Sequence, residues 1–268
     1  MRIRITFRVK NRGVAIPFHH QYLIAQIFKG LILASGDERY QNFSNYAFSG
    51  LKGQTRVSRN GLHYNSNRVT LVITSPEKEF IDFLIKKIFN ETHLEIGQLI
   101  IIPESVDEEL PVETTFEMKY ICISPLVILR PTFNSDDGKL FIEPGSDEFS
   151  DLIYDSTISR MVDTGIDIKK IKDLEKFQVV PDLAYINKLR QSQKKFARIY
   201  PLYDQDVKYE VRGYTFPFTL YAPREVQDFI FTCGLGLFSQ KGFGMLDVAN
   251  SDPTKRTIQY EIQHLISA

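Results

Sequence analysis

Polar and apolar residues alternate over residues 2–9, and a period of two is typical of a strand with one buried face. The next regular stretch has a different period. Between residues 17 and 35 apolar positions recur every three or four residues, and Gly36 follows as a residue suited to end a helix. These patterns predict a strand at residues 2–9 and a helix that begins at Pro17.

The remainder of the first half continues with two strands, a helix and a strand. Residues 42–59 and 62–74 are predicted to pair as a hairpin, because Asn60 and Gly61 are typical of a two-residue turn. Helical spacing returns after Ser75, and residues 94–102 have the pattern of a strand. The predicted order is therefore β-α-β-β-α-β, which is that of a ferredoxin-like domain.

The second half repeats this order without sequence identity to the first. A long strand is predicted at residues 115–132, a helix at 146–161 and paired strands at 194–200 and 207–221. A short helix and a final strand follow. We therefore predict an α+β protein made of two tandem ferredoxin-like, RRM-like βαββαβ domains, at residues 1–112 and 113–268.

The composition is that of a globular protein with a substantial core, since 43% of the residues are hydrophobic. The two cysteines, Cys122 and Cys233, lie in apolar surroundings and are expected to be reduced, buried thiols. No cysteine or histidine spacing of a metal site occurs in the sequence, so no metal or cofactor is expected. Without a signal-peptide or membrane-span pattern, we expect a cytoplasmic protein.

Charge is segregated along the chain, although the formal net charge is zero. Residues 39–76 contain basic side chains and no Asp or Glu, and residues 183–203 repeat this pattern. An acidic stretch at residues 104–117 separates the two basic windows. Such segregation favours a positive face that binds a polyanion. Solvated surface charge without a partner is the alternative.

Four glycines form two Gly-x-Gly pairs near the end of the chain, between the predicted helix at residues 223–232 and the final strand at residues 243–248. This order of helix, loop and strand differs from that of a dinucleotide-binding loop, and no Gly-Lys-Ser/Thr of a P-loop is present. The pattern predicts either a loop whose amides bind phosphate or a tight turn alone. The four glycines are Gly234, Gly236, Gly242 and Gly244.

These glycine pairs resemble the C-terminal signature of the CRISPR-associated endoribonuclease family that processes repeat RNA, within the RAMP superfamily. Residues 16–22 (IPFHHQY), 46–49 (YAFS) and 123–127 (ISPLV) add to the resemblance. The resemblance implies a tandem ferredoxin-like protein that binds and cuts CRISPR repeat RNA without a metal ion. It also implies a CRISPR effector complex as a candidate partner, and a monomer or a homodimer without membrane attachment.

In this family a histidine is often found in the loop after the first helix, and residues 36–42 contain none. Cleavage without metal uses the neighbouring 2′-hydroxyl as nucleophile and gives a cyclic phosphate and a 5′-hydroxyl end. Basic side chains stabilise the developing charge, and histidine, lysine or tyrosine transfers protons. The catalytic candidates are Lys29, His19, Arg39, Tyr40 and Lys52.

Phosphate contacts are expected from the two basic windows and from the glycine stretch. A catalytically silent relative that only binds repeat RNA is the alternative function. The residues expected to contact RNA are Arg56, Arg59, Arg68, Lys194, Lys195, Arg198, Gly234, Gly236, Lys241, Gly242 and Gly244.

Overall fold

The computed structural model describes residues 1–131, 137–204 and 207–262. The helices within these ranges are α1 Gln21–Ala34, α2 Glu38–Gln41, α3 Lys78–Asn90, α4 Asp147–Asp163, α5 Leu183–Gln191 and α6 Arg224–Cys233. The strands are β1 Arg2–Val9, β2 Ala15–Ile16, β3 Ala47–Phe48, β4 Thr55–Ser58, β5 Gly61–Tyr64, β6 Arg68–Thr74, β7 Leu94–Ile96, β8 Leu99–Glu109, β9 Glu117–Cys122, β10 Leu126–Val127, β11 Gln178–Pro181, β12 Ala197–Asp204, β13 Val207–Tyr214, β14 Pro217–Tyr221, β15 Leu246–Val248 and β16 Thr257–Gln259.

The chain forms two compact units, which are described separately. The first unit contains the residues up to Pro111, the short stretch Gln240–Gly242 and the segment that begins at Asp252. The second unit contains Val112–Ser239 and Phe243–Ser251. The expected domain boundary at residues 112 and 113 falls beside the first crossing between the units, but the last segment of the chain returns to the first unit.

The first unit has the strand order of a ferredoxin-like domain. Its antiparallel sheet has the order β16-β8-β1-β6-β3, and α1 and α3 connect β1 to β3 and β6 to β8. Alternation along β1 places Ile3, Ile5 and Phe7 in the core, each at most 1% exposed. Helix α1 adds Ile24 and Phe28 to this core. The prediction of a ferredoxin-like β-α-β-β-α-β order is confirmed here.

Helix α1 begins at Gln21, four residues later than the predicted start at Pro17. His20 occupies the position before the helix, but its imidazole does not cap the helix. Instead the His20 Nε2 atom accepts a hydrogen bond of 3.0 Å from the Leu51 backbone N–H. The hydrogen bond to Leu51, which is distant in sequence, therefore fixes His20, a residue that the helical pattern had assigned to the first turn.

The predicted hairpin of residues 42–59 and 62–74 is wrong in its extent. The chain forms short strands instead, and β3 pairs with β6, whereas β4 pairs with β5 in a separate small sheet with β2. Glycines at positions 50 and 53 interrupt the first predicted strand. The turn itself is correct, because Ser58 and Gly61 face each other across it. The β4–β5 hairpin is thus an insertion between the second and third strands of the ferredoxin-like order.

The second unit has the same strand order as the first. Its four-stranded sheet has the order β11-β14-β9-β15, with α4 after β9 and α6 between β14 and β15. The predicted strand at residues 115–132 is broken, because β9 ends at Cys122 and β10 joins β13 in another sheet. Helix α5 and the β12–β13 hairpin lie between β11 and β14 in the chain. Both units therefore carry an insertion between their second and third strands.

The segment after Asp252 completes the first unit by pairing with β8. Strand β16 aligns Thr257 with Glu109. The Glu109 side chain is buried and accepts hydrogen bonds of 2.6 Å from Arg2 and 2.6 Å from Arg4. Burial raises the Glu109 pKa, whereas the positive charges of these arginines lower it. The pKa is lowered overall, so the carboxylate stays charged.

The cysteines lie in the second unit, where Cys233 is 2% exposed and Cys122 is half-buried. Burial raises the pKa of the Cys233 thiol to about 11. Among the helices of the described ranges, none is long and apolar enough to cross a membrane.

Candidate functional site

The glycine loop, residues 234–244, connects α6 to β15 with a tightly folded backbone. All four of its glycines have positive φ angles, between +67° and +87°. A Cβ atom at position 244 would lie 1.9 Å from the Leu235 carbonyl oxygen, and one at position 236 would lie 2.5 Å from the Val127 carbonyl oxygen. Only glycine fits such close approaches at these angles. The loop is a fixed element of the fold.

Arg160 of α4 holds the carbonyl groups at the start of this loop. Its guanidinium donates to the carbonyl oxygens of Cys233 at 2.5 Å, Gly234 at 2.9 Å and Gly236 at 2.8 Å. It also donates to the Ser239 hydroxyl at 3.2 Å and lies over the Phe229 ring. Hydrogen bonds to a charged group are stronger than neutral ones, so Arg160 fixes the loop.

The Arg160 guanidinium is a half-buried charge without a carboxylate partner in the described part of the chain. Desolvation lowers its pKa, but an arginine stays protonated in proteins. Sequence reasoning missed this residue. The available signal was its place in α4, since Ile153, Thr157 and Arg160 are spaced four and three residues apart on one helical stripe.

The four glycines, which were expected to contact RNA, are buried and allow close packing of the backbone. Their contact with RNA stays a prediction, and two side chains of the loop are more accessible. Lys241 is half-buried at the end of the Ser239–Lys241 turn, and Phe238 is also partly exposed.

The candidates near α1 do not form one cluster. Lys29 is exposed on the helix, and His19 is half-buried before its first turn. Ten residues separate them, which corresponds to about 15 Å along a helix. The two side chains therefore cannot act on the same phosphate as neighbours. His20, beside them, is fixed by Leu51, and burial lowers its pKa to about 4.

Arg39 and Tyr40, two of the catalytic candidates, contact other side chains of the first unit. Arg39 forms a bidentate ion pair with Asp37, at 2.9 Å from Nε and 2.6 Å from Nη2. Tyr40 is 5% exposed and packs against Phe80 and Phe83 in the core of the first unit. Aromatic residues of α3 cover the tyrosine ring.

Lys52 lines a groove of about 680 Å³ in the first unit. The groove also contains Arg4, Arg12 and Arg68 together with the amide side chains of residues 54, 65 and 67. Arg4 and Arg12 were not predicted, although alternation along β1 places Arg4 on the face opposite Ile3 and Ile5. Cations and amides in one groove suit the oxygens of a phosphodiester.

Arg68, one of the predicted RNA contacts, is paired with Glu104 through Nη2 at 2.8 Å. This ion pair reduces its capacity to bind phosphate. The other five predicted RNA contacts in the two basic windows are exposed and form no ion pair within the described ranges. They are Arg56, Arg59, Lys194, Lys195 and Arg198.

These five cations occupy equivalent places in the two units. Arg56 and Arg59 belong to the inserted β4–β5 hairpin of the first unit. Lys194, Lys195 and Arg198 belong to the insertion of the second unit, at the end of α5 and the start of β12. The unpaired positive charge of each basic window therefore lies on an insertion, outside the ferredoxin-like sheet.

Comparison with known families and sequences gives two matches. Residues 107–248, just over half of the chain and including the glycine loop, match the family model of CRISPR associated protein Cas6, C-terminal. A relative from Methanocaldococcus jannaschii, described as CRISPR-associated endoribonuclease Cas6 1, is 28% identical over 145 residues. That alignment covers 52% of this chain and 56% of the relative, so little more than half of each protein is matched.

Solved structures show the same fold over nearly the whole chain. A Cas6-related protein from Pyrococcus furiosus has a TM-score of 0.76 at 20% identity, covering 94% of this chain and 99% of that one. A RAMP protein described as binding different RNA substrates has a TM-score of 0.75 at 18% identity, with coverage of 93% and 100%. At these identities the likeness establishes the fold.

Proposed function

This chain belongs to the family of CRISPR-associated protein Cas6, and from this premise we propose that it binds CRISPR repeat RNA and cleaves the precursor transcript into guide RNAs. The matched segment contains the glycine loop and the insertion of the second unit. The Methanocaldococcus jannaschii relative carries the description of an endoribonuclease, which supports the same activity for this chain.

The observation that carries the proposal is the placement of unpaired positive charge. Five exposed cations without an ion pair in the described residues lie on the insertions of the two units. Within the described residues no carboxylate neutralises these five side chains, and an RNA backbone would supply the negative charge that they lack. Each phosphate neutralised releases counterions, so affinity falls with salt.

In the proposed reaction, the 2′-hydroxyl next to the scissile phosphate attacks the phosphorus without a metal ion. The bond between the phosphorus and O5′ breaks, which leaves a 2′,3′-cyclic phosphate and a 5′-hydroxyl end. Lys52 and Arg12, which share the groove of the first unit, are placed to stabilise charge on the phosphate oxygens. Either His19 or Lys29 is the candidate for proton transfer, a contribution of roughly 10²–10⁴-fold.

A second candidate function is binding of repeat RNA without cleavage. The specific observation that favours it is the state of three polar side chains in this region. Arg39 is paired with Asp37, Tyr40 is buried, and His20 is both buried and held by Leu51. None of the three is available to transfer a proton to RNA.

The two functions are separated by incubating the purified protein with end-labelled repeat RNA from its own locus in EDTA. A matched RNA carries one 2′-deoxy nucleotide at the cut position. We expect a single cut in the first RNA and none in the second. Lys52→Ala should slow cleavage by at least about tenfold, within the range of lost charge stabilisation or general acid–base catalysis. Lys169→Ala, an exposed lysine away from the groove, should have no effect.

Salt-sensitive binding without any cut would replace the nuclease by the binding-only function. Cleavage of both RNAs alike would exclude attack by the 2′-hydroxyl. Absence of binding at low salt would contradict both functions.

A further inference from the structure

A cavity in the insertion of the second unit combines an apolar floor with an exposed aromatic ring. Leu189, Phe196, Tyr200 and Tyr185 line this cavity. Phe196 and Tyr200 are each 8% exposed, whereas Tyr185 is 39% exposed. The volume is about 580 Å³, within the roughly 300–1,000 Å³ of small-molecule sites. We call this cavity the insertion pocket.

Three cations surround the insertion pocket. Lys194, Lys195 and Arg198 line it and are exposed. They form no ion pair with a carboxylate of the described residues, in contrast to Arg190, which donates to Glu143 at 2.7 Å. The mouth of the pocket therefore has a positive charge that the protein itself does not neutralise.

A second, smaller cavity of about 370 Å³ is lined by the same two lysines. It shares Lys194 and Lys195 with the insertion pocket and adds Phe141 and Arg212. Phe141 is 45% exposed, and the Arg212 guanidinium lies 5.7 Å from the centre of its ring. Two exposed aromatic rings thus flank one pair of lysines.

Alternating aromatic rings and cations are the features with which proteins bind single-stranded nucleic acid, because bases stack on the rings and phosphates contact the cations. A base in a duplex keeps both faces stacked and cannot enter such a cavity. We propose that the insertion pocket binds one unpaired nucleotide of the RNA, with its base against Tyr185 and its phosphates at Lys194 and Lys195. The neighbouring nucleotide stacks on Phe141.

This inference rests on the proposed RNA-binding function and identifies the part of the substrate that the insertion recognises. It assigns unpaired nucleotides to the insertion and leaves the chemistry of cleavage to the groove of the first unit. Loss of the pocket should therefore weaken binding and leave the rate of cleavage at saturating RNA unchanged.

The test measures the affinity of an unstructured ten-nucleotide RNA from the repeat by fluorescence anisotropy. We expect Tyr185→Ala to weaken binding at least about fivefold, the lower end of the effect of losing one base stack. Tyr185→Phe retains the ring and should bind as the wild type does. Tyr203→Ala is the matched control, because Tyr203 is 38% exposed in the same insertion and does not line either cavity.

The lysines are tested through the salt dependence of the same affinity. In the double variant Lys194→Ala and Lys195→Ala, the slope of log affinity against log salt should become less steep by about 1.4, or about 0.7 per phosphate of a single strand. The double variant Lys169→Ala and Lys170→Ala removes the same charge from another exposed segment and should keep the wild-type slope.

The outcomes separate this inference from the proposed function. In one outcome the wild-type protein binds and cuts repeat RNA, but Tyr185→Ala and the double variant at positions 194 and 195 bind the ten-nucleotide RNA unchanged. That outcome overturns the proposal for the insertion pocket and leaves the proposed function standing. Equal competition by polyglutamate would also overturn it in favour of an acidic protein partner. If the wild-type protein binds no RNA, the proposed function itself fails.

Discussion

The two units have the same strand order but differ in the segment between their second helix and fourth strand. In the first unit this segment joins α3 to β8 through the short strand β7 and a turn at Gly97. In the second unit it is the glycine loop, held by the Arg160 guanidinium. The comparison shows that the ferredoxin-like sheet serves as a scaffold in both units, whereas the connections differ with their roles.

In each unit a basic side chain holds a loop through hydrogen bonds to its backbone. The His20 side chain accepts its hydrogen bond, whereas the Arg160 side chain donates. In the first unit the neutral His20 accepts a hydrogen bond from the Leu51 N–H. In the second unit the charged Arg160 donates to three carbonyl oxygens. Acid converts His20 from an acceptor to a donor, whereas Arg160 keeps its charge. The two loops should therefore respond differently to pH.

The largest expected effect comes from adding a methyl group to the glycine loop. In Gly244→Ala the new Cβ would lie 1.9 Å from the Leu235 carbonyl oxygen, so the backbone must move. We expect a loss of about 4 kcal/mol of unfolding free energy in chemical denaturation.

Gly97→Ala is the matched change in the first unit. Its φ of +61° is also unfavourable for alanine, but the nearest atom to the new Cβ lies at 3.6 Å. We expect a loss of about 1–2 kcal/mol, which is the cost of the left-handed conformation alone. Equal losses in the two variants would contradict the difference between the two connections.

The next largest loss of unfolding free energy is expected from removal of the Arg160 guanidinium. Arg160→Met leaves buried carbonyl oxygens without their donor, and we expect a loss of about 3 kcal/mol of unfolding free energy. Arg160→Lys retains the charge but not the planar set of donors, and should recover only part of the loss.

Arg224→Met is the control for a lost arginine in the same unit. Arg224 is exposed in α6 and its Nε lies 3.7 Å from Asp228. An exposed pair of this kind contributes little, so the loss should stay below about 1 kcal/mol. A loss at Arg160 no larger than that at Arg224 would show that the carbonyl contacts do not hold the loop.

A smaller effect is expected from titration of His20. Burial lowers its folded pKa from 6.5 to about 4, so between these values the unfolded state binds the additional proton. The stability is fully present above pH 6.5 and is lost as pH falls towards 4. From pH 8 to pH 5 we expect a loss of about 2 kcal/mol from this group.

His20→Gln isolates that contribution, since its amide oxygen can accept from Leu51 and does not titrate. Unfolding free energies of the wild-type protein and the variant should converge as pH falls from 8 to 5. Parallel curves would show that His20 is not held as a buried neutral acceptor.

Local patterns predicted much of the scaffold. Alternation identified β1, and Gly36 was correctly placed after α1 with a φ of +69°. What depends on distant parts of the chain was not predictable. Strand β16 joins β8 across 148 residues of sequence between Glu109 and Thr257. Short strands such as β3 exist only because a neighbour supplies hydrogen bonds.

The sequence predicted which basic residues are exposed better than it predicted which side chains contact each other. Windows without acidic residues identified the five exposed cations, because charge without a nearby carboxylate in sequence often stays unpaired. The burial of Tyr40 was not predictable, since the ring that covers it belongs to α3. Arg160 was missed because its partners are backbone carbonyl oxygens, and these leave no trace in the residue types.

The central claim is that RNA contacts the insertions of the two units and the glycine loop of the second unit more than the sheets. Hydrogen–deuterium exchange with and without repeat RNA tests it directly. We expect protection on RNA binding in peptides that cover residues 56–61, 194–198 and 237–241, and none at residues 94–99 in the matching connection of the first unit. Protection confined to the strands β1, β6 and β8, with the insertions unchanged, would contradict the account.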